Sequence, residues 1–258
     1  MSEPANRGPL GGVGIVVTRP ARQAAGLASQ LAALGATPIV FPAIAILPPR
    51  DEASLARAHA ELASYDAAIF ISGNAAEYGA PGQWPAHVAA YATGPGTAAA
   101  LRAVGVPDVA IPRTTFDSEG LLALPALADV RGKRIAIFRG EGGRQHLALA
   151  LRARGAQVDG IECYRRVRPA SADGLAEALV KGRAHALTVT SSEGLDNLCA
   201  LLNDRALAAM RAVPAFVPHP RIEAHARERG FSAVTTEAGD AGLVAGLLEW
   251  FERHPRTR

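Results

Sequence analysis

The first half of this chain returns in the second. Residues 12–36 and 132–156 align without a gap at an offset of 120 residues. Gly12/Gly132, Ile15/Ile135, Arg19/Arg139, Leu27/Leu147, Ala28/Ala148, Leu31/Leu151, Ala33/Ala153, Gly35/Gly155 and Ala36/Ala156 are identical pairs. Each copy reads strand, Arg-bearing turn, helix, Gly, strand. An offset this long lies outside the roughly 20–50-residue period of solenoid units, so the chain reads as a duplicated half-protein. Two similar lobes facing each other make a cleft, and the site is expected there.

The rest of the sequence continues the alternation. Residues 13–18 form an apolar, β-branched run typical of a buried strand. Residues 21–34 carry Leu27, Leu31 and Leu34 at helical spacing, and Gly35 supplies the stop. Further strands are expected at 67–71, 88–92, 109–111, 134–138, 186–190, 215–217 and 233–236. Helices are expected at 51–63, 97–104, 118–127 (opened by a capping residue), 144–154, 172–181, 195–202, 222–229 and 241–253, with a short one starting at 75–78. Strands alternating with helices throughout give an α/β fold with parallel sheets flanked by helices.

Two extended stretches differ from the others. Residues 39–47 are punctuated by Pro38, Pro42 and Pro48–Pro49, and residues 158–167 are closed by Pro169. They occupy equivalent places in the two copies and suit edge strands or crossings better than central strands. If both cross, the middle of the chain forms one lobe and its two ends form the other. Tandem halves split near Gly132 are the competing arrangement.

In open α/β sheets, ligands gather beyond the carboxyl ends of the strands. The turns there are Thr18-Arg19-Pro20, Ser72-Gly73-Asn74, Thr93-Gly94-Pro95-Gly96-Thr97, Arg139-Gly140-Glu141-Gly142-Gly143, Thr190-Ser191-Ser192 and Pro218-His219-Pro220-Arg221. Any one of them reads first as a helix cap. Six together, with Arg19 and Arg139 at matched positions, point to main-chain N–H groups and guanidinium groups arranged for a polyanion.

Other chemistries find less support. Gly94-Pro95-Gly96-Thr97-Ala98-Ala99 satisfies a dinucleotide fingerprint, but the next strand ends at Pro112-Arg113 with no acid for a ribose. Arg139–Arg144 lacks the Gly-Lys-Ser/Thr ending of a P-loop. The seven histidines show no paired metal spacing, and His219 on its turn reads as a polar cap before it reads as a base. Cys163 and Cys199 have neither metal nor disulfide spacing and read as reduced core thiols. Net charge is only +3, and its Arg residues are scattered with 5% aromatics, against a nucleic-acid surface. No apolar run approaches the roughly 20 residues of a membrane span, and residues 1–10 lack a signal-peptide core. The expectation is a cytoplasmic protein without metal, and a monomer for want of a heptad seam. Tyr164, followed by Arg165, Arg166 and Arg168, has two readings: a packing residue with a wet hydroxyl, or a phenol that donates a proton.

Taken in order, these pieces resemble the uroporphyrinogen-III synthase family. The resemblance rests on Val16-Val17-Thr18-Arg19-Pro20, Ile69-Phe70-Ile71-Ser72-Gly73-Asn74-Ala75, Gly94-Pro95-Gly96-Thr97-Ala98 followed by Gly105, Phe138-Arg139-Gly140, residues 158–165 and Thr188-Val189-Thr190-Ser191-Ser192. Ile71 and Pro218-His219-Pro220-Arg221-Ile222 depart from the family pattern. The resemblance implies two α/β lobes joined by a two-stranded connector. One lobe is then residues 10–44 with 170–258, the other 50–162, and the connector strands 45–49 and 163–169. It also implies cyclodehydration of hydroxymethylbilane, with inversion of the last pyrrole and no cofactor. Tyr164 would assist departure of the hydroxyl. Arg19, Ser72, Asn74, Gly94, Thr97, Arg139, Gly140, Thr190, Ser191, Ser192 and His219 would hold substrate carboxylates. The expected partners are that small polycarboxylate and, transiently, the enzyme that makes it, with no nucleic acid or membrane. A bilobal module binding an acidic ligand without chemistry, or a nucleotide enzyme using the Gly94 turn, are the alternatives.

Overall fold

The computed structural model describes residues 8–143 and 145–255. In chain order, β1 (Gly14–Val17), α1 (Ala21–Ala33), β2 (Thr37–Val40) and β3 (Ala45–Leu47) come first. Then follow α2 (Glu52–Ala60), β4 (Ala67–Phe70), α3 (Gly73–Gly79), β5 (Ala89–Ala92), α4 (Pro95–Ala103), β6 (Val109–Ala110) and α5 (Ser118–Leu122). The second copy opens with β7 (Arg134–Gly140), α6 (His146–Ala153) and β8 (Gln157–Val167). The chain ends with α7 (Asp173–Val180), β9 (Ala186–Thr188), α8 (Ser192–Leu201), α9 (Asp204–Arg211), β10 (Ala215–Val217), α10 (Pro220–Glu228), β11 (Ala233–Thr235) and α11 (Gly239–Arg253).

Two compact units result: the inner segment Ile46–Arg166, and the two flanking segments together. The flanking unit holds a parallel sheet in the order β11-β10-β9-β1-β2. The inner unit's sheet has the order β3-β8-β7-β4-β5-β6, parallel from β8 through β6. Helices cover both faces, so central strands bury both sets of side chains. In the flanking unit Val16, Leu187 and Val217 pack to one side, with Ile15, Val17 and Phe216 to the other. In the inner unit Phe70 and Phe138 lie on one face, and Ile69, Ile135 and Ile137 on the other.

The repeat folds twice into the same geometry. β1 pairs with β2 from Gly14↔Thr37 to Val17↔Val40, and β7 with β8 from Arg134↔Gln157 to Ile137↔Gly160, each pair displaced by 120. Gly35 and Gly155 end their helices at φ of +90° and +89°. In both copies the next residue's N–H reaches back to the last leucine of the helix, Ala36 to Leu31 (3.0 Å) and Ala156 to Leu151 (3.2 Å). This is the left-handed C-terminal cap that glycine accommodates without a Cβ penalty. Gly155→Ala is therefore expected to cost about 1–2 kcal/mol of stability, measured by urea unfolding. Its added Cβ also falls 3.1 Å from Arg131 Cγ.

The structure corrects several sequence expectations. The strand expected over 39–47 is two, β2 and β3, on the edges of different sheets, because Pro42 interrupts the ladder. The helix expected over 118–127 stops at Leu122 and resumes as a single 3-10 turn, Pro125–Leu127, since Pro125 cannot continue α5. Its cap is Asp117, whose carboxylate accepts from Gly120 N (2.9 Å). Helix α6 starts at His146; Arg144, included in the expected helix, lies outside the described residues. Helix α9, capped by Asn203, was not anticipated.

Candidate active site

Parallel strands place all their carboxyl ends on one edge of a sheet. In the inner unit the adjacent strands β7, β4 and β5 lead into the turns carrying Arg139–Gly143, Ser72–Asn74 and Thr93–Thr97. A cavity of about 740 Å³ opens there, lined by Thr93, Phe116, Asp117, Arg139, Gly140, Gly142, Gly143, Tyr164 and Arg166 among others. Ser72 Oγ accepts from Ala75 N at 3.0 Å and opens α3. Gly94 opens α4, with Pro95 in the first position where an N–H has no helical partner to lose. The missing Gly94 side chain leaves room for Phe116, whose Cβ lies 3.0 Å from where a Cβ would stand.

A register slip sets the position of Tyr164. Arg139 pairs with Glu162, but Gly140 pairs with Tyr164, so Cys163 is the extra residue of a β-bulge. Cys163 Sγ donates to Arg139 O (3.2 Å) from within the core. The Tyr164 ring crosses Gly140, where a Cβ would come within 2.8 Å of Cζ. Only 2% exposed, Tyr164 brings its hydroxyl 3.2 Å from Ser72 Oγ. Its carbonyl accepts from Glu141 N (2.8 Å), fixing the next turn to the bulge.

Arg139 is 17% exposed and lies over Gly160, where a Cβ would stand 3.4 Å from Nε. Nη1 donates to Gly143 O (3.0 Å) and Nη2 to Glu162 Oε1 (3.4 Å), whereas the buried Nε has no hydrogen-bond partner. The turn after β7 is also tied to residue 50. Glu141 accepts from Arg50 N (2.7 Å) and from Arg50 Nη1 (3.2 Å).

The flanking unit repeats the layout on strands β10, β9 and β1. Buried hydroxyls knit β1 to β9: Thr18 Oγ1 donates to Thr188 O (2.7 Å), and Thr188 Oγ1 to Val16 O (3.1 Å). Arg19, one residue on, pairs with Asp240 of α11. Ser191 Oγ caps α8 by accepting from Gly194 N (3.0 Å), and His219 Nδ1 caps α10 by accepting from Arg221 N (3.0 Å). A cavity of about 570 Å³ lies here, lined by Thr190, Ser191, Ser192, Arg221, His225 and Glu228 among others.

Of the residues singled out from sequence, Arg139, Gly140 and Tyr164 share the first cavity, and Ser72 reaches Tyr164's hydroxyl. Thr190, Ser191 and Ser192 share the second. Gly94 and Thr97 sit behind the first: Gly94 against Phe116, and Thr97 buried with its Oγ1 3.4 Å from Thr93 Oγ1. Asn74, Arg19 and His219 line neither cavity. Arg221 belongs to the Pro218–Arg221 turn singled out from sequence, whereas sequence reasoning passed over His225. His225 Nε2 lies 2.9 Å from Asp196 Oδ1, a pairing 29 residues apart that no local motif announces. It also passed over Phe116 and Asp117, which a loop brings in from beyond β6.

The two thiols are unsuited to nucleophilic work. Burial pushes Cys163 up to about 12 and raises Cys199 as well. At pH 8, iodoacetamide is expected to label half-buried Cys199 slowly, and Cys163 only after denaturation. Peptide mapping reads the order.

Two α/β sheets, parallel through their central strands and with capped turns along the carboxyl edge, define an α/β protein of the class that gathers ligands at strand ends. Comparison with known proteins narrows the class. The family model for uroporphyrinogen-III synthase HemD matches residues 25–245. Uroporphyrinogen-III synthase of Salmonella typhimurium is 38% identical over 198 residues, covering 72% of this chain and 79% of that one. The Escherichia coli enzyme of the same name is 36% identical over 197 residues, covering 73% and 79%. The crystal structure of uroporphyrinogen-III synthetase from Helicobacter pylori shares the fold, with a TM-score of 0.59 at 13% identity over 92% of this chain and 99% of that one. The chain belongs to the uroporphyrinogen-III synthase family.

Proposed function

We propose that this chain converts hydroxymethylbilane to uroporphyrinogen III, closing the linear tetrapyrrole with loss of water and inverting its last ring. The reading is carried by family membership along most of the chain. Its chemistry is supported by the turns at strand carboxyl ends, which suit a substrate bearing eight carboxylates.

Departure of the terminal hydroxyl breaks a C–O bond and leaves an azafulvene. The terminal pyrrole attacks that carbon through its substituted position, giving a spiro intermediate. Fragmentation and reclosure then deliver the inverted isomer. Pyrrole supplies both nucleophile and cation-stabilising electrons, so the reaction draws on no cofactor. The protein's part is to hold one reactive geometry, a contribution that reaches about 7–11 kcal/mol when alignment is good. Tyr164 gives its proton to the leaving hydroxyl and recovers one when the macrocycle aromatises its last pyrrole. Arg139, Gly140 and Ser72 anchor carboxylates in the inner unit, and Asn74, Gly94 and Thr97 belong to the turns that shape their surroundings. Arg19, Thr190, Ser191, Ser192 and His219 do so in the flanking unit.

Residues 45–49 and 163–169 serve as connector strands, a reading supported by the pairing of β3 with β8. The lobes are assigned as residues 10–44 with 170–258, and 50–162. In the cell the reading is of a cytoplasmic monomer that receives its substrate by transient contact with the producing enzyme. The test supplies hydroxymethylbilane from its synthase and separates the isomers formed. Inverted product above the spontaneous rate is expected; uninverted product alone, at that rate, overturns the assignment.

A further inference from the structure

Glu162 carries a charge of the wrong sign for a site that takes a polycarboxylate. It stands on β8 opposite Arg139, at the last regular pair before the bulge. Its Oε1 accepts from Arg139 Nη2 (3.4 Å) and from the main-chain N–H of Gly142 (3.3 Å). A guanidinium and a turn N–H converging on one carboxylate oxygen form the kind of receptor a substrate carboxylate needs. Both bonds are long for charge-assisted ones, which run about 2.7–2.9 Å. Glu162 is also 41% exposed, so its carboxylate can swing into water at little cost. Arg139 itself stays put: Nη1 is held by Gly143 O, its shaft lies against Gly143, and its guanidinium lies over Gly160. The acids near the same turn are engaged differently. Glu141 closes on Arg50 at 2.7 Å, and Asp117 caps α5.

We infer that Glu162 is a resident carboxylate occupying an anion subsite made by Arg139 and Gly142 N–H, and that a ligand carboxylate must displace it. This rests on the octacarboxylate reading above. Glu162 thereby weakens binding at that subsite and selects for ligands with enough other carboxylates to compensate. It keeps the Arg139 guanidinium in place while the subsite is free of ligand, and it sets the threshold against small anions.

The test is fluorescence titration with uroporphyrin III, an air-stable macrocycle that retains all eight carboxylates. Glu162→Gln, isosteric and neutral, is expected to bind about two- to fivefold tighter than the unsubstituted protein, the range of one partly exposed ion pair. The gain is expected to vanish in an Arg139→Gln background, because the subsite is then gone. Glu177→Gln, the same charge change on α7 in the flanking unit, is expected to give no gain. Equal or weaker binding by Glu162→Gln overturns the inference while leaving the octacarboxylate reading intact. So does a gain that persists without Arg139 or that Glu177→Gln reproduces. No binding by any form overturns both.

Discussion

Phe138→Ala is expected to lower the unfolding free energy by about 3–5 kcal/mol, the cost of deleting a buried aromatic. Phe138 is fully buried at the centre of the inner unit's sheet. It faces its register partner Phe70, with stacked rings 4.6 Å apart and 4° from parallel. The absent side chain of Gly79 leaves α3 close enough that a Cβ there would meet Phe138 Cδ1 at 2.9 Å. Neighbours this tight cannot collapse into the space left behind, which places the substitution high in the range. A loss of that size is a large share of the roughly 5–15 kcal/mol that holds a typical domain. The chain carries one tryptophan in each unit, Trp84 and Trp250. In a Trp250→Phe background, Trp84 next to Phe70 reports the inner unit alone during urea unfolding. Phe138→Leu, which refills most of the volume, is expected to recover more than half of the loss.

The second large effect concerns turnover. Tyr164→Phe keeps the ring over Gly140 and removes only the hydroxyl that meets Ser72. Turnover is expected to fall about 10²–10⁴-fold, the usual worth of a general acid, with KM little changed. Stability is expected to shift by only about 0.5–1.5 kcal/mol, one neutral hydrogen bond. Gly140→Ala is the complementary substitution. The hydroxyl remains, but a Cβ 2.8 Å from Cζ must push the ring aside. A displacement near 1 Å is expected to cost about 10²-fold. Single-turnover kinetics with hydroxymethylbilane separate the cases. Wild-type turnover by Tyr164→Phe would remove the phenol from the chemistry.

Much of the fold was legible because its signals are local. Gly35 and Gly155 mark helix ends, the Leu27/Leu31 and Leu147/Leu151 pairs mark buried stripes, and both copies carry them at one offset. The turns after the strands were legible by the same route, since a parallel strand's carboxyl end identifies itself once the strand does. Helix α9 escaped because Asn203, Asp204 and Arg205 read as loop, and only Ala206 and Met210 on its short stripe are fully buried. The bulge at Cys163 could not be read at all, because register belongs to a pair of strands and only one is in view along the chain. The seat for Tyr164 on Gly140 escaped for the same reason: 24 residues separate a missing Cβ from the ring that fills its place.

The split composition of the flanking unit has a consequence for how the chain is made. β1 pairs with β9, Ile15 beside Ala186, so the ribosome must deliver more than 170 residues before that ladder can form. At about 5–20 residues per second, β1, paired with β2 alone, waits on the order of ten to thirty seconds for β9. The inner unit is continuous and can fold during that interval. Its sheet can then be complete while the face of β1 carrying Val16 still lacks Leu175, Leu187 and Val189, which makes β1 a segment that calls for chaperone cover during translation.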